Sequence, residues 1–386
     1  MTSEPTEACP LEAEPATPPL EPATGARTVI AMSGGVDSSV AAWLLSEAGH
    51  DLVGLFMRNG VEVEAAEIQK KSCCSISDAR DARMVAARLG IPFQAVDLKT
   101  EFGSIISYFL SEYGKGRTPN PCAVCNRDLK FDRLLRFAEE LGADTVATGH
   151  YARLDVIDDR VWVRRGVDRT KDQSYQLFCV DEANLKRTRL PLGAMEKSDV
   201  RALASKVGLR TAAKPDSQEI CFVPKNDYRT LLEQYEVELH PGKFVDTAGR
   251  ELGEHSGTEN FTIGQRRGLG IAFGEPMYVV DLVPETGTVV LGRNEECTYG
   301  ALETGRPNWI GIDPPGEEGL RVLVQVRYHH TPASALVTPT ATGTRVVFDE
   351  PQHAVAPGQG AAFYLDDRLV GGGWIERTER VEVPTA

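Results

Sequence analysis

The feature that most constrains this chain is the string SGGVDSS at Ser33–Ser39, which stands between a short apolar run and a helical pattern. Thr28–Met32 has the composition of a buried strand, and Ser38–Glu47 is a helical pattern that ends before Gly49. Further strand and helix patterns alternate as far as Thr148. Such alternation predicts a parallel sheet covered on both faces, with ligands at the carboxyl ends of its strands.

The remaining patterns divide the chain into an α/β part and a β-rich part. The α/β part is expected to contain strands at Leu52–Met57, Phe93–Val96 and Thr145–Thr148, and helices at Ser75–Leu89, Phe102–Tyr113 and around Phe131–Leu141. After Gly208, glycine and proline become frequent and short β-like runs dominate. Pro276–Gly292 is typical of a hairpin, and regularly spaced strands from Leu320 onward predict a small β-barrel or sandwich.

These patterns predict an α/β parallel-sheet nucleotide-binding domain, a small central β-rich domain and a C-terminal β-barrel domain. We expect a disordered, acidic, Pro-rich tail at 1–26, because it has six prolines, five glutamates and no basic residue. The expected domain bounds are 27–222 for the catalytic domain, 223–299 for the central domain and 300–386 for the barrel.

Composition is that of an ordinary globular protein, with 41% hydrophobic and 25% charged residues. No apolar run approaches the roughly 18 residues of a membrane span. The N-terminus lacks the basic start and apolar core of a signal peptide, so we expect a cytoplasmic protein without a membrane partner. The net charge of −14 argues against a nucleic-acid partner unless basic residues cluster locally.

The string at Ser33–Ser39 predicts a phosphate site. Gly34 and Gly35 let the backbone approach an anion, and the following helix N-terminus supplies N–H donors. The serines add hydroxyl donors, and Asp37 could help to hold Mg²⁺. The structural alternative is a glycine turn with a serine cap, which many α/β proteins contain.

The string is not a Walker loop, which requires GxxxxGK followed by Ser or Thr. It resembles instead the PP-loop of enzymes that split ATP into AMP and pyrophosphate. Such enzymes commonly adenylate a carbonyl oxygen and so turn it into a leaving group. Gly149 and His150 follow a predicted strand and are expected at the same edge of the sheet.

Three of the eight cysteines occur in distinctive settings. Cys122 and Cys125 form a CxxC after Pro119 and Pro121, which suit a loop of fixed shape, and Cys221 lies in the string DSQEICF. Structural zinc would need a second ligand pair, and none has suitable spacing. Two interpretations stay open: a redox pair of Cys125 with Cys221, or a persulfide carrier with an assisting thiol.

The other cysteines are expected to have no catalytic role. Cys179 lies in an apolar run and is interpreted as a buried small hydrophobe. Cys9 lies in the tail and Cys297 in an apparent polar loop. Cys73 and Cys74 are adjacent in sequence and are interpreted as loop thiols.

Seven strings together resemble the tRNA-specific 2-thiouridylase family, and the resemblance covers nearly the whole chain after residue 27. In chain order they are SGGVDSS, GRTPNP followed by CxxC-Asn, ATGHYA, KDQSYQL, DSQEICF, IGQRRGLGI and PGQ. That family replaces the oxygen on carbon 2 of the wobble uridine, in tRNAs for lysine, glutamate and glutamine, with sulfur.

The resemblance implies roles for individual residues. Cys221 would carry a persulfide and Cys125 would be the other catalytic cysteine. The residues implied to bind ATP are Ala31, Met32, Ser33, Gly34, Gly35, Val36, Asp37, Ser38, Met57 and Gly149. Those implied to contact tRNA are Asn120, Pro121 and Cys122, which would flank the target base, and His150, Lys171, Asp172, Gln173, Arg327, Tyr328 and Gln359. The resemblance also implies ATP with Mg²⁺, and a sulfur donor such as a cysteine desulfurase or a sulfur-relay protein.

One departure from the family pattern is Cys122, because well-known bacterial members carry aspartate there. Together with Cys125 and Cys221 it supplies three thiols, which could hold a [4Fe–4S] cluster with one open iron as an alternative sulfur route. Two further alternatives are a different adenylating synthetase and a non-catalytic ATP-sensing or tRNA-binding module. Contacts to tRNA are expected from the charge of Arg327 and the aromatic ring of Tyr328, with weaker basic candidates around Lys186–Arg189 and Arg266–Arg267.

Overall fold

The computed structural model describes residues 25–60, 76–216, 220–223, 227–271 and 274–381. Nearly all of the predicted tail lies outside these residues, as do Cys73, Cys74 and the SQE of the DSQEICF string. Within the described ranges, no helix is long and apolar enough to cross a membrane.

Strands and helices alternate in the first half of the chain, and strands dominate the second. The helices are α1 (Val36–Glu47), α2 (Ile76–Leu89), α3 (Lys99–Gly114), α4 (Pro121–Cys125), α5 (Leu134–Glu140), α6 (Glu182–Lys186), α7 (Lys197–Lys206) and α8 (Arg229–Gln234). The strands are β1 (Thr28–Ala31), β2 (Leu52–Arg58), β3 (Phe93–Asp97), β4 (Thr145–Ala147), β5 (Ala152–Ile157), β6 (Arg160–Arg165), β7 (Thr188–Arg189), β8 (Gly242–Asp246), β9 (Glu251–His255), β10 (Tyr278–Val283), β11 (Thr288–Gly292), β12 (Thr298–Thr304), β13 (Asn308–Trp309), β14 (Leu320–Gln325), β15 (Ala333–Pro339), β16 (Thr344–His353), β17 (Gly360–Leu365) and β18 (Arg368–Arg380).

The first half forms a five-stranded sheet in the order β3-β2-β1-β4-β7, and its pairings are parallel. Alternate residues of β1 point to opposite faces, as strand geometry requires. Val29 and Ala31 enter one hydrophobic core with α5, whereas Ile30 and Met32 enter another with α1, α2 and α7. The predicted parallel sheet, buried on both faces, is therefore confirmed.

The central region forms a four-stranded sheet in the order β10-β11-β8-β9. The predicted hairpin is confirmed: β10 pairs antiparallel with β11, and the turn between them ends at Gly287 with a φ of 62°. Glycine suits this position because the left-handed conformation carries no Cβ penalty there. A small separate core, with Phe244 and Val289 at its centre, packs on this sheet.

The C-terminal strands form the predicted barrel. Their order is β12-β16-β15-β14-β17-β18, and β12 also pairs with β18, which closes the sheet on itself. Cys297, expected in a polar loop, is instead fully buried in the barrel core, and its thiol points to the carbonyl oxygen of Val279 at 3.6 Å. That expectation was wrong because a single short turn, Asn294–Glu296, separates β11 from the buried start of β12.

The hairpin of β5 and β6, which was not predicted, leaves the α/β part and joins the barrel sheet. β6 pairs antiparallel with β18, and Val163 lies opposite Leu369. Asp158 and Asp159 form the turn with φ values of 50° and 60°. An Asp-Asp turn between two alternating runs is a recognisable hairpin signal, although the pairing of β6 with β18 is a long-range contact that no local pattern indicates.

Candidate active site

The loop between β1 and α1 is held in shape by its own hydrogen bonds. Ser38 Oγ accepts a hydrogen bond from the Ser33 amide at 3.1 Å and lies 3.3 Å from the Gly35 carbonyl oxygen. Ser39 Oγ donates to the same carbonyl at 2.7 Å. Gly34 has a φ of 75°, and a Cβ added there would lie 2.3 Å from the Asp78 carbonyl oxygen. The loop therefore requires glycine at position 34.

The other residues implied to bind ATP lie around this loop. Ala31 and Met32 are buried at the end of β1, and Met57 is half-buried near the carboxyl end of the adjacent β2. A Cβ on Gly149 would lie 2.8 Å from the Ser38 nitrogen, so the loop after β4 packs directly against the phosphate loop. The structure thus brings these residues together at the carboxyl edge of the sheet, where ligands of parallel sheets bind.

Asp37 is already engaged by protein donors. Lys197 Nζ lies 2.6 Å and 2.8 Å from its two carboxylate oxygens, and the Tyr151 hydroxyl donates to one of them at 2.7 Å. Burial, followed by the charge of Asp37, raises the pKa of Tyr151, so this hydroxyl stays protonated. Lys197 could not be predicted as a partner of Asp37, because an isolated lysine far along the chain gives no signal of such a contact.

Among the residues that the structure describes, the donors around Asp37 do not form a protein-held metal site. Both oxygens of Asp37 face Lys197, which competes directly with Mg²⁺. No group of three or more His, Cys, Asp or Glu side chains that could hold a metal occurs among the described residues, which include Cys122, Cys125 and Cys221. The residues therefore do not fit a Mg²⁺ held by Asp37 alone, and the described parts of the chain gather no ligand set for a cluster on the three thiols.

The CxxC segment lies on a helix, and the prediction of a shaped loop there was wrong. Asn120 caps α4, since its side-chain oxygen accepts a hydrogen bond from the Ala123 amide at 3.1 Å, and Pro121 occupies the first turn. Asparagine followed by proline is a helix-start signal that could have been read from the sequence. The helix continues without a break through a π-helical segment, Asn126–Arg133, into α5.

Cys125 and Cys221 both pack against one hydrophobic cluster although they are distant in sequence. Both are half-buried and pack against a core that includes Phe109, Val124 and Phe222. The Phe222 ring lies edge-on to Phe109 at 5.2 Å between centroids, which anchors the residue that follows Cys221. Cys179 is buried as predicted, and burial raises the pKa of its thiol to about 12.

Cys122 is exposed on α4 and lies near enough to Tyr328 to influence the pKa of its hydroxyl. Burial is the main cause that raises the pKa of Tyr328 to about 12, and Asp172 and Cys122 raise it further. Three residues implied to contact tRNA therefore lie close together although they belong to different parts of the chain. Arg327, next to Tyr328, is exposed.

Several other residues implied to contact tRNA make hydrogen bonds within the protein. Lys171 Nζ donates to Asp216 at 2.8 Å, the Asp172 carboxylate accepts from the Gly166 amide at 3.0 Å, and Gln173 accepts from the Tyr151 amide at 3.0 Å. These side chains therefore stabilise the site through contacts inside the protein.

His150 is buried and lies between Thr148 and Lys130. Its Nδ1 is 2.7 Å from the Thr148 hydroxyl, and its Nε2 is 3.5 Å from Lys130 Nζ. Burial, helped by the charge of Lys130, holds the pKa of His150 well below its usual value. His150 is therefore a neutral ring within the wall of the site.

The barrel holds the segment that precedes the CxxC. Gln359 Nε2 donates to the carbonyl oxygens of Thr118 and Pro119 at 3.2 Å and 2.9 Å. Arg117 bonds Glu112 at 2.7 Å and Glu376 at 2.6 Å. Gln359, predicted from the resemblance to contact tRNA, here fixes the backbone that leads into Asn120.

The basic clusters differ in their surroundings. Lys186 pairs with Asp159 at 2.9 Å and Arg187 with Glu139 at 2.6 Å, so this cluster is largely neutralised by acidic neighbours. Arg266 and Arg267 are exposed on the central region. Of these clusters, Arg266–Arg267 and Arg327 are exposed, whereas Lys186 and Arg187 are paired with carboxylates.

Family models match three consecutive parts of this chain. A tRNA methyl transferase HUP domain matches residues 26–225, a tRNA methyl transferase PRC-barrel domain matches 229–293, and an aminomethyltransferase beta-barrel domain matches 300–375.

Curated relatives match along almost their full length. The tRNA-specific 2-thiouridylase MnmA of Carboxydothermus hydrogenoformans is 48% identical over 91% of this chain and 98% of its own, and that of Acetivibrio thermocellus is 46% identical over 91% and 99%. A solved 4-thiouridine synthetase–RNA complex with bound ATP is 20% identical over 56% of this chain and 50% of its own, with a TM-score of 0.36. The identity and coverage of the curated relatives are decisive, and the chain belongs to the tRNA-specific 2-thiouridylase family.

Proposed function

We propose that this protein is a tRNA 2-thiouridylase that converts the wobble uridine at position 34 to 2-thiouridine. The observation that carries the proposal is the packing of Cys125 and Cys221, from separate segments, against one hydrophobic cluster. The phosphate loop at the carboxyl edge of the sheet supplies the second requirement, a site for ATP. A mechanism with two thiols and ATP accounts for both features.

ATP is needed because the carbon-2 oxygen of uridine is a poor leaving group. In the proposed first step this oxygen attacks the α-phosphorus of ATP and expels pyrophosphate. The loop amides and the start of α1 would bind the phosphate groups, since they present N–H donors and a partial positive charge. Magnesium would arrive with the ATP phosphates, because the Asp37 oxygens are engaged by Lys197.

Sulfur replaces the activated oxygen in the second step. The terminal sulfur of a Cys221 persulfide attacks carbon 2, and AMP leaves with the original oxygen. The Cys125 thiolate then attacks the Cys221 sulfur, which releases the thiocarbonyl of 2-thiouridine and leaves a Cys125–Cys221 disulfide. An external thiol reduces this disulfide before a donor, such as a cysteine desulfurase or a sulfur-relay protein, restores the persulfide.

The target base must leave its stack to enter this site. An anticodon loop is single-stranded, so turning one base out costs only a few kcal/mol. Asn120, Pro121 and Cys122 are proposed to flank the base, with Tyr328 of the barrel close to Cys122. Tyr328 and Arg327 supply an aromatic ring and a positive charge, which suit an unstacked base and its phosphate. We propose tRNAs for lysine, glutamate and glutamine as substrates, in the cytoplasm.

The test uses the purified protein, preloaded with persulfide, with one of these tRNAs and ATP. We expect pyrophosphate release that depends on tRNA and one 2-thiouridine for each loaded persulfide. Cys221→Ser should still release pyrophosphate but form no 2-thiouridine, whereas Cys297→Ala removes a thiol buried in the barrel and should leave both products unchanged.

Two results would contradict the proposal. One is the absence of tRNA-dependent pyrophosphate release by the wild-type protein. The other is formation of 2-thiouridine by Cys221→Ser, which would exclude Cys221 as the sulfur carrier. Thiolation by anaerobically reconstituted protein that requires bound iron and sulfide would favour the cluster route instead.

A further inference from the structure

Cys122 is the one thiol of the distinctive three that takes no chemical part in the proposed reaction. It is exposed, whereas the other cysteines of the described ranges are half-buried or buried. It also departs from the family pattern, which has aspartate at this position. The nearest other thiol along the helix is Cys125, one turn further on, so the two form a candidate pair.

Helix α4 sets the distance between these two cysteines. Side chains three positions apart are neighbours on a helix surface, with Cβ atoms about 5–6 Å apart, and a disulfide needs about 3.5–4.5 Å. A small adjustment of the first turn therefore closes the gap. The Asn120 cap and Pro121 begin the helix directly before Cys122, so the CxxC stands at a helix start, as in disulfide oxidoreductases.

Access from solvent differs between Cys122 and the two cysteines of the proposed cycle. Cys125 and Cys221 are half-buried and pack against a cluster in which Val124 is 5% and Phe222 is 4% exposed. Exchange with a disulfide requires a thiolate to reach one of its sulfur atoms, so the rate depends on access. A Cys125–Cys221 disulfide on this apolar cluster therefore reacts slowly with a thiol in solution, whereas a disulfide that includes Cys122 is open to it.

Cys179 is not an alternative attacking thiol, although it lies close to α4. Its thiol donates to the Ala123 carbonyl oxygen at 3.4 Å, and the residue is buried beneath the helix. Burial raises the pKa of this thiol to about 12, so it stays protonated and is a poor nucleophile. Cys297 is buried in the barrel core. Among the cysteines that the structure describes, Cys122 is therefore the one placed to attack Cys125.

We propose that Cys122 is a resolving thiol that moves the disulfide from Cys125–Cys221 to Cys122–Cys125. The Cys122 thiolate attacks the Cys125 sulfur, the Cys122–Cys125 bond forms, and the Cys125–Cys221 bond breaks. Cys221 leaves as a thiolate and takes up the proton that Cys122 has lost, so the exchange involves no net oxidation or reduction. An external dithiol then reduces the exposed disulfide to two thiols and is itself oxidised to a disulfide.

This inference rests on the proposed function and adds a step to its reductive half. Cys221 is released before the external dithiol acts, so the sulfur donor can restore the persulfide while the CxxC is still oxidised. The step also gives a chemical reason for cysteine at position 122, because the carboxylate of an aspartate cannot exchange with a disulfide.

Tryptic peptides distinguish the two disulfides directly. Cleavage after Arg117 and Arg127 places Cys122 and Cys125 in one peptide, 118–127, whereas Cys221 lies in another, 211–225. A Cys122–Cys125 disulfide is therefore internal to one peptide, and a Cys125–Cys221 disulfide joins the two.

The test is a single turnover of persulfide-loaded protein with tRNA and ATP in the absence of reductant. Remaining thiols are then alkylated with N-ethylmaleimide, and the disulfide is located by peptide mass spectrometry. The wild-type protein is compared with Cys122→Ser and Cys122→Asp, and the control is Cys297→Ala, which removes a thiol from the barrel core. The amount of each disulfide is expressed per 2-thiouridine formed, so that altered tRNA binding at position 122 does not affect the comparison.

In the wild-type protein and in Cys297→Ala, peptide 118–127 should contain the internal disulfide and Cys221 should be alkylated. In both variants at position 122, the two peptides should instead be joined through Cys125 and Cys221. When dithiothreitol is added, Cys221 of these variants should become alkylated at least about tenfold more slowly than in the wild-type protein, because a thiol on the same chain has a far higher effective concentration than one in solution.

A second arm oxidises the wild-type protein with diamide in the absence of tRNA and ATP, and the internal disulfide of peptide 118–127 should again be the main product. The inference is overturned if the wild-type protein retains the joined peptides after turnover, if Cys122 is instead found linked to Cys221, or if diamide gives no internal disulfide. Failure of the proposed function is a separate result, because the wild-type protein would then form no 2-thiouridine whatever disulfide the diamide arm shows.

Discussion

At the scale of single residues, Gly34 and Gly35 of the phosphate loop have different requirements. Gly34 has a positive φ and no room for a Cβ, whereas Gly35 has a φ of −90° and the nearest atom to an added Cβ, Ser33 Oγ, is 3.5 Å away. Gly34→Ala should therefore lower the free energy of unfolding by about 1–2 kcal/mol through backbone strain, and the clash with Asp78 should lower it further. We expect it to abolish ATP binding measured by equilibrium dialysis.

Gly35→Ala is the matched control for this change. It should keep the melting temperature of the wild-type protein, since neither its φ nor its surroundings exclude a methyl group. ATP binding by Gly34→Ala with wild-type affinity would contradict the described loop geometry.

His150 provides a prediction on pH dependence. Its pKa is lowered in the folded protein, mainly by burial, whereas in the unfolded chain it protonates near the usual value of about 6.5. The unfolded state therefore binds more protons below this pH, and the free energy of unfolding falls by up to about 1.4 kcal/mol per pH unit as the pH decreases.

The melting temperature measured between about pH 7.5 and 5.5 tests this sign. His150→Gln should show a smaller decrease than the wild-type protein, whereas His329→Gln, at an exposed position, should follow the wild-type curve. Identical pH dependence in His150→Gln and wild type would show that His150 is not the buried neutral group described here.

At this scale the sequence was most informative where chemistry requires a particular residue type. The phosphate loop could be predicted because Gly34, Gly35 and the serines have a local reason to be adjacent. The contacts of Lys197 with Asp37 and of Lys171 with Asp216 could not be predicted, since they join residues from separate segments and lysine is common on any surface.

At the scale of elements, α4 carries two of the three distinctive thiols, and its first turn depends on the Asn120 cap. Asn120→Ala should cost about 1 kcal/mol by leaving the Ala123 amide without its acceptor, whereas Asn120→Asp keeps an acceptor at the same place. Hydrogen exchange is the measurement: amides at 123–125 should exchange faster in the Ala variant and near the wild-type rate in the Asp variant. Equal rates in the three proteins would contradict the capping role.

An element could be predicted from the sequence when its pattern lies within one contiguous segment. The hairpin of β10 and β11 was predicted because its turn and both strands are contiguous. The interpretation of Pro119 and Pro121 as a loop signal failed because proline also favours the first turn of a helix, and Asn120 made that the better reading. β5 and β6 could not be assigned to the barrel in advance, because β6 pairs with β18, which lies about 200 residues further along the chain.

At the scale of the whole molecule, the barrel and the α/β part hold each other through Arg117. This side chain is 21% exposed and bonds Glu112, Glu376 and the Ile375 carbonyl oxygen. Arg117→Met should lower the free energy of unfolding by about 2 kcal/mol, because the carboxylates of Glu112 and Glu376 each lose a hydrogen-bond donor. The change is measured as a lower melting temperature and as faster proteolysis between the two parts.

Lys115→Met is the matched control, because Lys115 also pairs with Glu112 but its side chain is 61% exposed. We expect an effect below about 0.5 kcal/mol, as for other surface ion pairs. If the two variants are equally stable, the contact through Arg117 does not hold the barrel on the segment before the CxxC.

The three-part architecture was predictable from composition and periodicity, whereas the way the parts meet was not. Gln359 illustrates the limit: family resemblance assigns it to tRNA, and the structure shows its amide bonded to Thr118 and Pro119. Contacts between the α/β part and the barrel depend on the complete fold. They can be predicted only when the position of every barrel strand is known.

The central claim, that this protein thiolates the wobble uridine with sulfur from Cys221, is tested most directly by nucleoside analysis of tRNA from cells that lack it. We expect loss of 2-thiouridine from the lysine, glutamate and glutamine tRNAs, with recovery when the wild-type chain is supplied and none when Cys221→Ser is supplied. An unchanged 2-thiouridine content in the deletion cells would contradict it.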